Sequence, residues 1–188
     1  MRIITGTAKG CPLDALPGLA TRPTSDRVKE AVFSMIQFDI EGRNVLDLFA
    51  GSGQLGLEAL SRGAKHAVFL DISPKAADTV RKNAEKAKLA GKCSVFTGDY
   101  STFFRAGRNR FDLVFLDPPY SSDFIPRALK ALDSNGFLNS GALTVCESGT
   151  EDPCSDCAEY GFEELKKARY GRTFITLLIY RGTGKEKT

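Results

Sequence analysis

Apolar residues along the chain fall into short blocks that alternate between two spacings. Asn44 to Phe49 is almost wholly apolar apart from Asp47, and Ala67 to Leu70, Cys93 to Thr97, Phe111 to Leu116 and a stretch near Leu143 to Glu147 are blocks of the same kind. Runs this short, bounded by turn residues, predict buried strands. Between them apolar residues recur at helical spacing: Val28, Ala31, Val32, Met35 and Ile36 in one segment, then Ala77, Val80, Ala84 and Ala87 in another, with a further helix near Phe124 to Leu132. Ser73-Pro74 supplies a cap and a first-turn proline for the second of these, and Gly91 is expected to stop it. The helix that follows the first strand is expected to end near Gly63. Two last strands, around Phe162 to Ala168 and Thr173 to Tyr180, flank the short turn Tyr170-Gly171-Arg172 and predict an antiparallel hairpin.

Residues 1 to 20 hold short apolar clusters with three glycines and two prolines, which predicts a hairpin-like or irregular arm. Arg22-Pro23 must be extended, because the proline ring restricts its predecessor, and Thr24 or Ser25 then caps a helix. Strands separated by helices of this length imply an α/β fold with a mostly parallel sheet covered on both faces and seven strands in all. A single domain is expected over 1–188, with an arm over 1–22, a core over 23–181 and a frayed tail over 182–188.

Composition narrows the class. The chain is 42% hydrophobic and 26% charged, ordinary for a soluble protein, and no apolar run is long enough to span a membrane. The opening residues carry neither a secretory nor a transit pattern, so the cytoplasm is the expected compartment. Five cysteines, an odd number with two in expected strands, point to reduced thiols rather than a disulfide framework. Cys154-Ser155-Asp156-Cys157 has half the spacing of a zinc site, but no second pair or histidine follows it, and no metal is expected. Net charge is +3, while Phe162 to Thr188 alone holds seven Lys/Arg against three Asp/Glu. That bias suits phosphate contacts. His66 reads as an edge residue without a partner, and Phe103-Phe104 as packing.

In open α/β sheets ligands bind beyond the carboxyl ends of the strands. Asp47, Gly51, Asp71, Asp99 and Asp117 all lie at or near that expected edge. Gly51-Ser52-Gly53-Gln54-Leu55-Gly56 has the glycine pattern of a nucleotide loop, and Asp71 follows Gly51 by twenty residues, where an acid accepts ribose hydroxyls. This pattern alone fits NAD or S-adenosylmethionine (SAM). Asp47, just before the loop, favours a ligand with a positive ammonium and sulfonium, since it would repel a pyrophosphate. Asp99 is placed to accept from an adenine amino group, or it is a turn residue after Gly98.

Asp117-Pro118-Pro119-Tyr120 is the most informative segment. Two prolines remove two backbone donors and fix an extended bend, so the Pro118 carbonyl and the Asp117 carboxylate can both face a pocket as acceptors. Such acceptors can hold an exocyclic amine with its lone pair aimed at an activated methyl. Tyr120 offers a face on which an unstacked base can lie, at about 1–3 kcal/mol per base. Arg22-Pro23-Thr24 either folds over the cofactor carboxylate or the RNA, or is a helix entry.

These residues resemble the RsmD family of 16S rRNA (guanine-N2)-methyltransferases along nearly the whole chain. The likeness rests on Arg2-Ile3-Ile4-Thr5-Gly6, Lys9-Gly10, the run from Thr21 to Ala31, Leu46 to Gly53, and Phe115 to Tyr120. The chain departs from the family at Cys11-Pro12, where basic residues are common, and at Glu151 to Ala158. The resemblance implies a Rossmann-like class I SAM-dependent methyltransferase and a guanine N2 amine of small-subunit rRNA as target. Asp47, Ala50, Gly51, Ser52, Gly53, Asp71, Ile72, Asp99 and Tyr100, with Arg22 and Thr24, would hold SAM, and Asp117, Pro118 and Tyr120 the base. The expected partner is 16S rRNA or an assembling small subunit, bound by a monomer away from membranes. Rival readings are methylation of adenine N6 or cytosine N4, an NAD-dependent oxidoreductase, and a non-catalytic RNA-binding module.

Overall fold

A computed structural model describes residues 1–16, 26–106, 109–119 and 123–183. Seven strands stand in the order β3-β2-β1-β4-β5-β7-β6, and the chain divides into two compact units, Met1–Asp99 and Tyr100–Thr188. The expected cap at Thr24 or Ser25 lies outside the described residues, as does most of the expected frayed tail.

In the first unit α1 (Asp26–Met35) precedes β1 (Asn44–Asp47), α2 (Gln54–Ser61), β2 (His66–Asp71), α3 (Pro74–Lys86) and β3 (Cys93–Thr97). Strand β2 pairs in parallel with β1 and β3, and Val45, Leu46, Ala67, Val68, Phe69 and Leu70 are buried, as parallel strands covered on both faces require. Two expectations shift. Strand β1 stops at Asp47, because Leu48 and Phe49 already turn toward the glycine loop. His66 is no edge residue: β2 runs between two strands, and its Nε2 lies 2.9 Å from Ser94 Oγ on β3.

Helix ends follow one rule. After α2, Gly63 is left-handed (φ 104°), its N–H bonds Leu60 O, and Ala64 N–H bonds Ala59 O. This double bond pattern is a Schellman stop, which favours glycine. Helix α3 ends the same way at Lys86 rather than at Gly91: Lys88 N–H bonds Glu85 O, Leu89 N–H bonds Ala84 O, and Lys88 takes φ 58°. Burial of Leu89 offsets the steric cost of a left-handed lysine.

The arm is hairpin-like, as expected. Arg2 bridges Pro12, Ile3 N–H bonds Cys11 O, and Gly10 N–H bonds Ile3 O. It is fastened to α2 by Glu58, which has no exposure and accepts from Ile4 N–H (2.7 Å), Thr5 N–H (3.0 Å) and Arg62 Nε (2.8 Å). Lys29 Nζ of α1, equally buried, sits 3.5 Å from the same carboxylate and also donates to Arg2 O. Burial pulls the Lys29 ammonium pKa down, and the charge of Glu58 opposes that shift. Gly6 (φ 89°) is pressed so close that a β-carbon would fall 1.8 Å from Ser61 O.

The second unit holds α4 (Tyr100–Ala106), β4 (Phe111–Leu116), α5 (Phe124–Ser134), β5 (Leu138–Ser148), β6 (Phe162–Tyr170) and β7 (Thr173–Tyr180). Strands β4 and β5 are parallel, while β7 is antiparallel to β5 and to β6. Helix α4 had no periodic signal in the sequence. It forms because Phe104 packs edge-on against Phe137 at 4.7 Å, with Phe103 5.8 Å from the same ring, which also accounts for the expected packing role of that pair. Strand β5 begins five residues before Leu143, and Gly141 (φ 79°) lies where its register with β4 shifts. The hairpin turn is as read, with Tyr170 opposite Thr173 and Gly171 at φ 65°. Strand β6 ends the sheet order and carries a register shift between Glu164 and Lys166, leaving Leu165 exposed. At the end of β7, Tyr180 OH donates to Asp133 Oδ1 of α5 at 2.6 Å.

Two measurements probe this frame. Glu58→Ala strands a buried ammonium and should cost about 3–5 kcal/mol, lowering Tm by about 2–4 °C per kcal/mol. The pairing Lys29→Met with Glu58→Gln should cost much less than the sum of the single changes, and strict additivity in melting curves would contradict the coupling. Burial, helped by the bond to Asp133, pushes the Tyr180 phenol up to about 12. A pKa raised above the unfolded value of about 10 gives stability that is intact below that pH and lost as pH climbs through the folded value. Alkaline spectrophotometric titration should show a late-ionising tyrosine that disappears in Tyr180→Phe.

Candidate active site

The end of β1 and the start of α2 form one hydrogen-bonded unit. Gly53 occupies the cap position of α2 in the left-handed region (φ 79°) and has no side chain with which to cap it. Asp47 takes over that task from the strand: its Oδ2 accepts from Gly56 N–H at 3.0 Å, and the residue is 2% exposed. The first-turn N–H groups of a helix lack internal partners and carry partial positive charge, so a carboxylate is favoured there. The first unit thus gives Asp47 a fold-building partner that the sequence did not disclose.

Asp71, at the end of β2, holds the loop from the other side. Its Oδ2 accepts from Gly51 N–H and its Oδ1 from Ser73 N–H, both at 2.9 Å. Ala50, buried, donates its N–H to Leu70 O and accepts from Gly53 N–H at 2.7 Å. Among the described residues beyond its chain neighbours, no atom comes nearer than 4.0 Å to the position of a Gly51 β-carbon (φ 53°), which leaves room beside this backbone for a ligand. Gly56 is the opposite case. A β-carbon there would stand 2.3 Å from Phe69 Cε1, so the third glycine serves to seat α2 on β2.

The surroundings fit SAM. A carboxylate offers about four lone-pair directions, and backbone takes one on each oxygen of Asp71, which leaves acceptors for ribose hydroxyls. Ile72 next to it is 74% exposed, an apolar surface suited to a flat base. Gln54, at the first position of α2, has a buried Oε1 without a hydrogen-bond partner among the described residues. Such an orphan costs about 1–3 kcal/mol and suits a cationic donor. In the sequence Gln54 is one residue of the glycine motif, and its polarity there is the signal that could have marked it as a ligand contact. Asp99 is exposed just beyond β3 and follows Gly98, whose N–H bonds Asp71 O. Ser52 turns its carbonyl toward Asn83 Nδ2 of α3 at 2.9 Å.

In the second unit β4 delivers Asp117, half-buried, then Pro118, buried, and Pro119, exposed. Tyr100 begins α4 and is largely buried, with its ring edge-on to Phe104 at 6.1 Å. Arg22, Thr24 and Tyr120 lie outside the described residues. Among the described residues no three His, Cys, Asp or Glu side chains are arranged to hold a metal ion, and no helix is long and apolar enough to cross a membrane. The five cysteines are free. Burial pushes the Cys93 thiol up to about 12 and Cys154 to about 11, so both stay protonated at neutral pH.

Gly56→Ala should lift α2 off Phe69 and loosen the bond to Asp47, at about 1–3 kcal/mol of overpacking. Thermal melts that leave Tm unchanged would show that the helix has slack at this point.

Known proteins resemble this chain in sequence and in fold. The family model described as Conserved hypothetical protein 95 matches residues 1–179. Bacillus subtilis YlbH is 37% identical over 185 residues, covering 97% of this chain and 100% of that one. The Haemophilus influenzae protein named Ribosomal RNA small subunit methyltransferase D is 37% identical over 156 residues, 81% of each chain. Among solved structures, Escherichia coli yhhF matches with TM-score 0.87 at 31% identity, covering 97% of this chain and 98% of that one. The fold is that of a class I methyltransferase. The chain belongs to the Conserved hypothetical protein 95 family, the RsmD family.

Proposed function

We propose that this protein is a SAM-dependent rRNA methyltransferase that modifies the exocyclic N2 amine of a guanine in 16S rRNA. The observation that carries the reading is the Asp117-Pro118 pair at the end of β4, a half-buried carboxylate followed by a residue with no N–H of its own. Relatives named for small-subunit rRNA methylation support the substrate class. Within the reading, Asp47, Ala50, Gly51, Ser52, Gly53, Asp71, Ile72 and Asp99 hold the cofactor, joined by Tyr100, Arg22 and Thr24, and SAM supplies an electrophilic methyl on a sulfonium.

The chain's own work is positioning. Asp117 and the Pro118 carbonyl accept the two N–H bonds of the amine, which leaves its lone pair pointing along the line of displacement. No strong base is required, because the amine proton becomes acidic only as the new N–C bond forms, and the Asp117 carboxylate that already accepts that N–H takes it and passes it to solvent. Tyr120 supports the base by stacking. Substrate binds as naked 16S rRNA or an assembling small subunit, to a monomer of a single domain in the cytoplasm.

The test uses labelled SAM with undermethylated small subunits and nucleoside analysis of the product. N2-methylguanosine is the expected product. Label in N6-methyladenosine or N4-methylcytidine would move the target to another amine while keeping the chemistry. Asp117→Ala should lower kcat by about 100-fold or more while calorimetry still shows SAM binding. Turnover of that variant at the wild-type rate would remove Asp117 from the reaction.

A further inference from the structure

Asn83 of α3 is wholly buried, and its amide is fully engaged. Its Oδ1 accepts from Asp14 N–H at 2.8 Å, and its Nδ2 donates to Asp14 O at 3.1 Å. One side chain therefore satisfies both backbone groups of an arm residue, as a neighbouring strand would. The second Nδ2 proton goes to Ser52 O at 2.9 Å. Ser52 stands between Gly51 and Gly53, the two left-handed residues of the loop (φ 53° and 79°). With no β-carbon at either neighbour, the facing of the Ser52–Gly53 peptide rests on its hydrogen bonds: its N–H donates to Ala50 O at 2.7 Å within the loop, and its carbonyl is tied by Asn83 to α3.

Other contacts bring the arm to the same place. Leu16 Cδ1 lies 4.0 Å from the position of a Gly51 β-carbon, and Met1 Sδ lies 3.7 Å from Ser52 Oγ. Lys86, on the turn of α3 after Asn83, pairs with Asp14 Oδ2 at the surface.

We propose that Asn83 is a positioning residue that couples the amino-terminal arm to the cofactor loop, so that SAM binding and ordering of residues 13–16 reinforce each other. The inference rests on the cofactor reading above. A shared amide is a physical link of the required kind: a shift of the Ser52 carbonyl loosens the donor that also holds residue 14, and the reverse. Such coupling is reciprocal, and typical values span about 5–150-fold in affinity. The arm is then part of the cofactor site although the link reaches it through backbone atoms alone.

The test compares full-length wild type with Asn83→Ala and Asn83→Asp, the second of which keeps the shape but turns a carboxylate toward two carbonyls. Titration calorimetry with S-adenosylhomocysteine reads affinity, and amide hydrogen exchange over residues 13–16 reads the arm, with and without ligand. Expected results are slower arm exchange on ligand binding in wild type, a Kd about 10-fold higher in both variants, and no slowing of arm exchange in either variant at saturating ligand. Asp14→Ala, which loses only the exposed pair with Lys86, should match wild type within about twofold. A merely structural role would lower Tm and leave Kd alone, and that result overturns the proposal. So does wild-type arm exchange that ignores bound ligand, a measurement that needs no variant to fold. Wild type that fails to bind S-adenosylhomocysteine would instead overturn the cofactor reading itself.

Discussion

A single carboxylate without access to water fastens three segments of the first unit. Glu58 takes backbone donors from Ile4 and Thr5, a guanidinium N–H from Arg62 and the nearby charge of Lys29. A buried charge is tolerable only when it is paired and hydrogen-bonded, so removing the carboxylate strands every one of these donors at once. The arm, α1 and α2 therefore hold their places together. The consequence for the site is direct. All eight residues of α2 are buried, pressed by the arm near Ser61 and by Phe69 at Gly56, and the glycine loop leads into a helix that cannot move alone.

The same economy governs the carboxylates at the strand ends. Asp47 caps α2 in place of a residue that Gly53 cannot be, and Asp71 accepts one backbone N–H on each oxygen. Acids that read as ligand contacts are also what gives the loop its shape before any ligand arrives. Preorganisation of this sort lowers the ordering cost of binding.

Much of this was legible in the sequence, and the exceptions share a cause. Strand β3 and strand β4 fall where their apolar runs place them, and the glycine motif and Ser73-Pro74 mark the starts of α2 and α3, because each signal is local. The stop of α3 was misplaced because Lys88 adopts a conformation normally left to glycine, and the force that holds it there is burial of Leu89, a tertiary effect. Helix α4 was invisible for a related reason: Ser, Thr and aromatic residues favour helix weakly, and the ring of Phe137, over thirty positions away, supplies the packing. His66 looked isolated since Ser94 is distant in sequence. At the site, the strand-end acids could be listed from spacing, but the work of Asn83 could not. An asparagine on a polar helix gives no hint that its amide joins two loops until the chain is folded.

Strand β6 closes the order of the sheet, and among the described residues no strand pairs with its outer flank. A flat border of that kind is a template on which another chain can add itself, the first step toward aggregation. Here the offset at Leu165 breaks the regular ladder, and Glu163, Glu164, Lys166, Lys167 and Arg169 crowd the same nine residues with charge of both signs. An incoming strand would meet a kink and a desolvation cost at once, so the border guards the solubility of a protein whose other strands are built to stick.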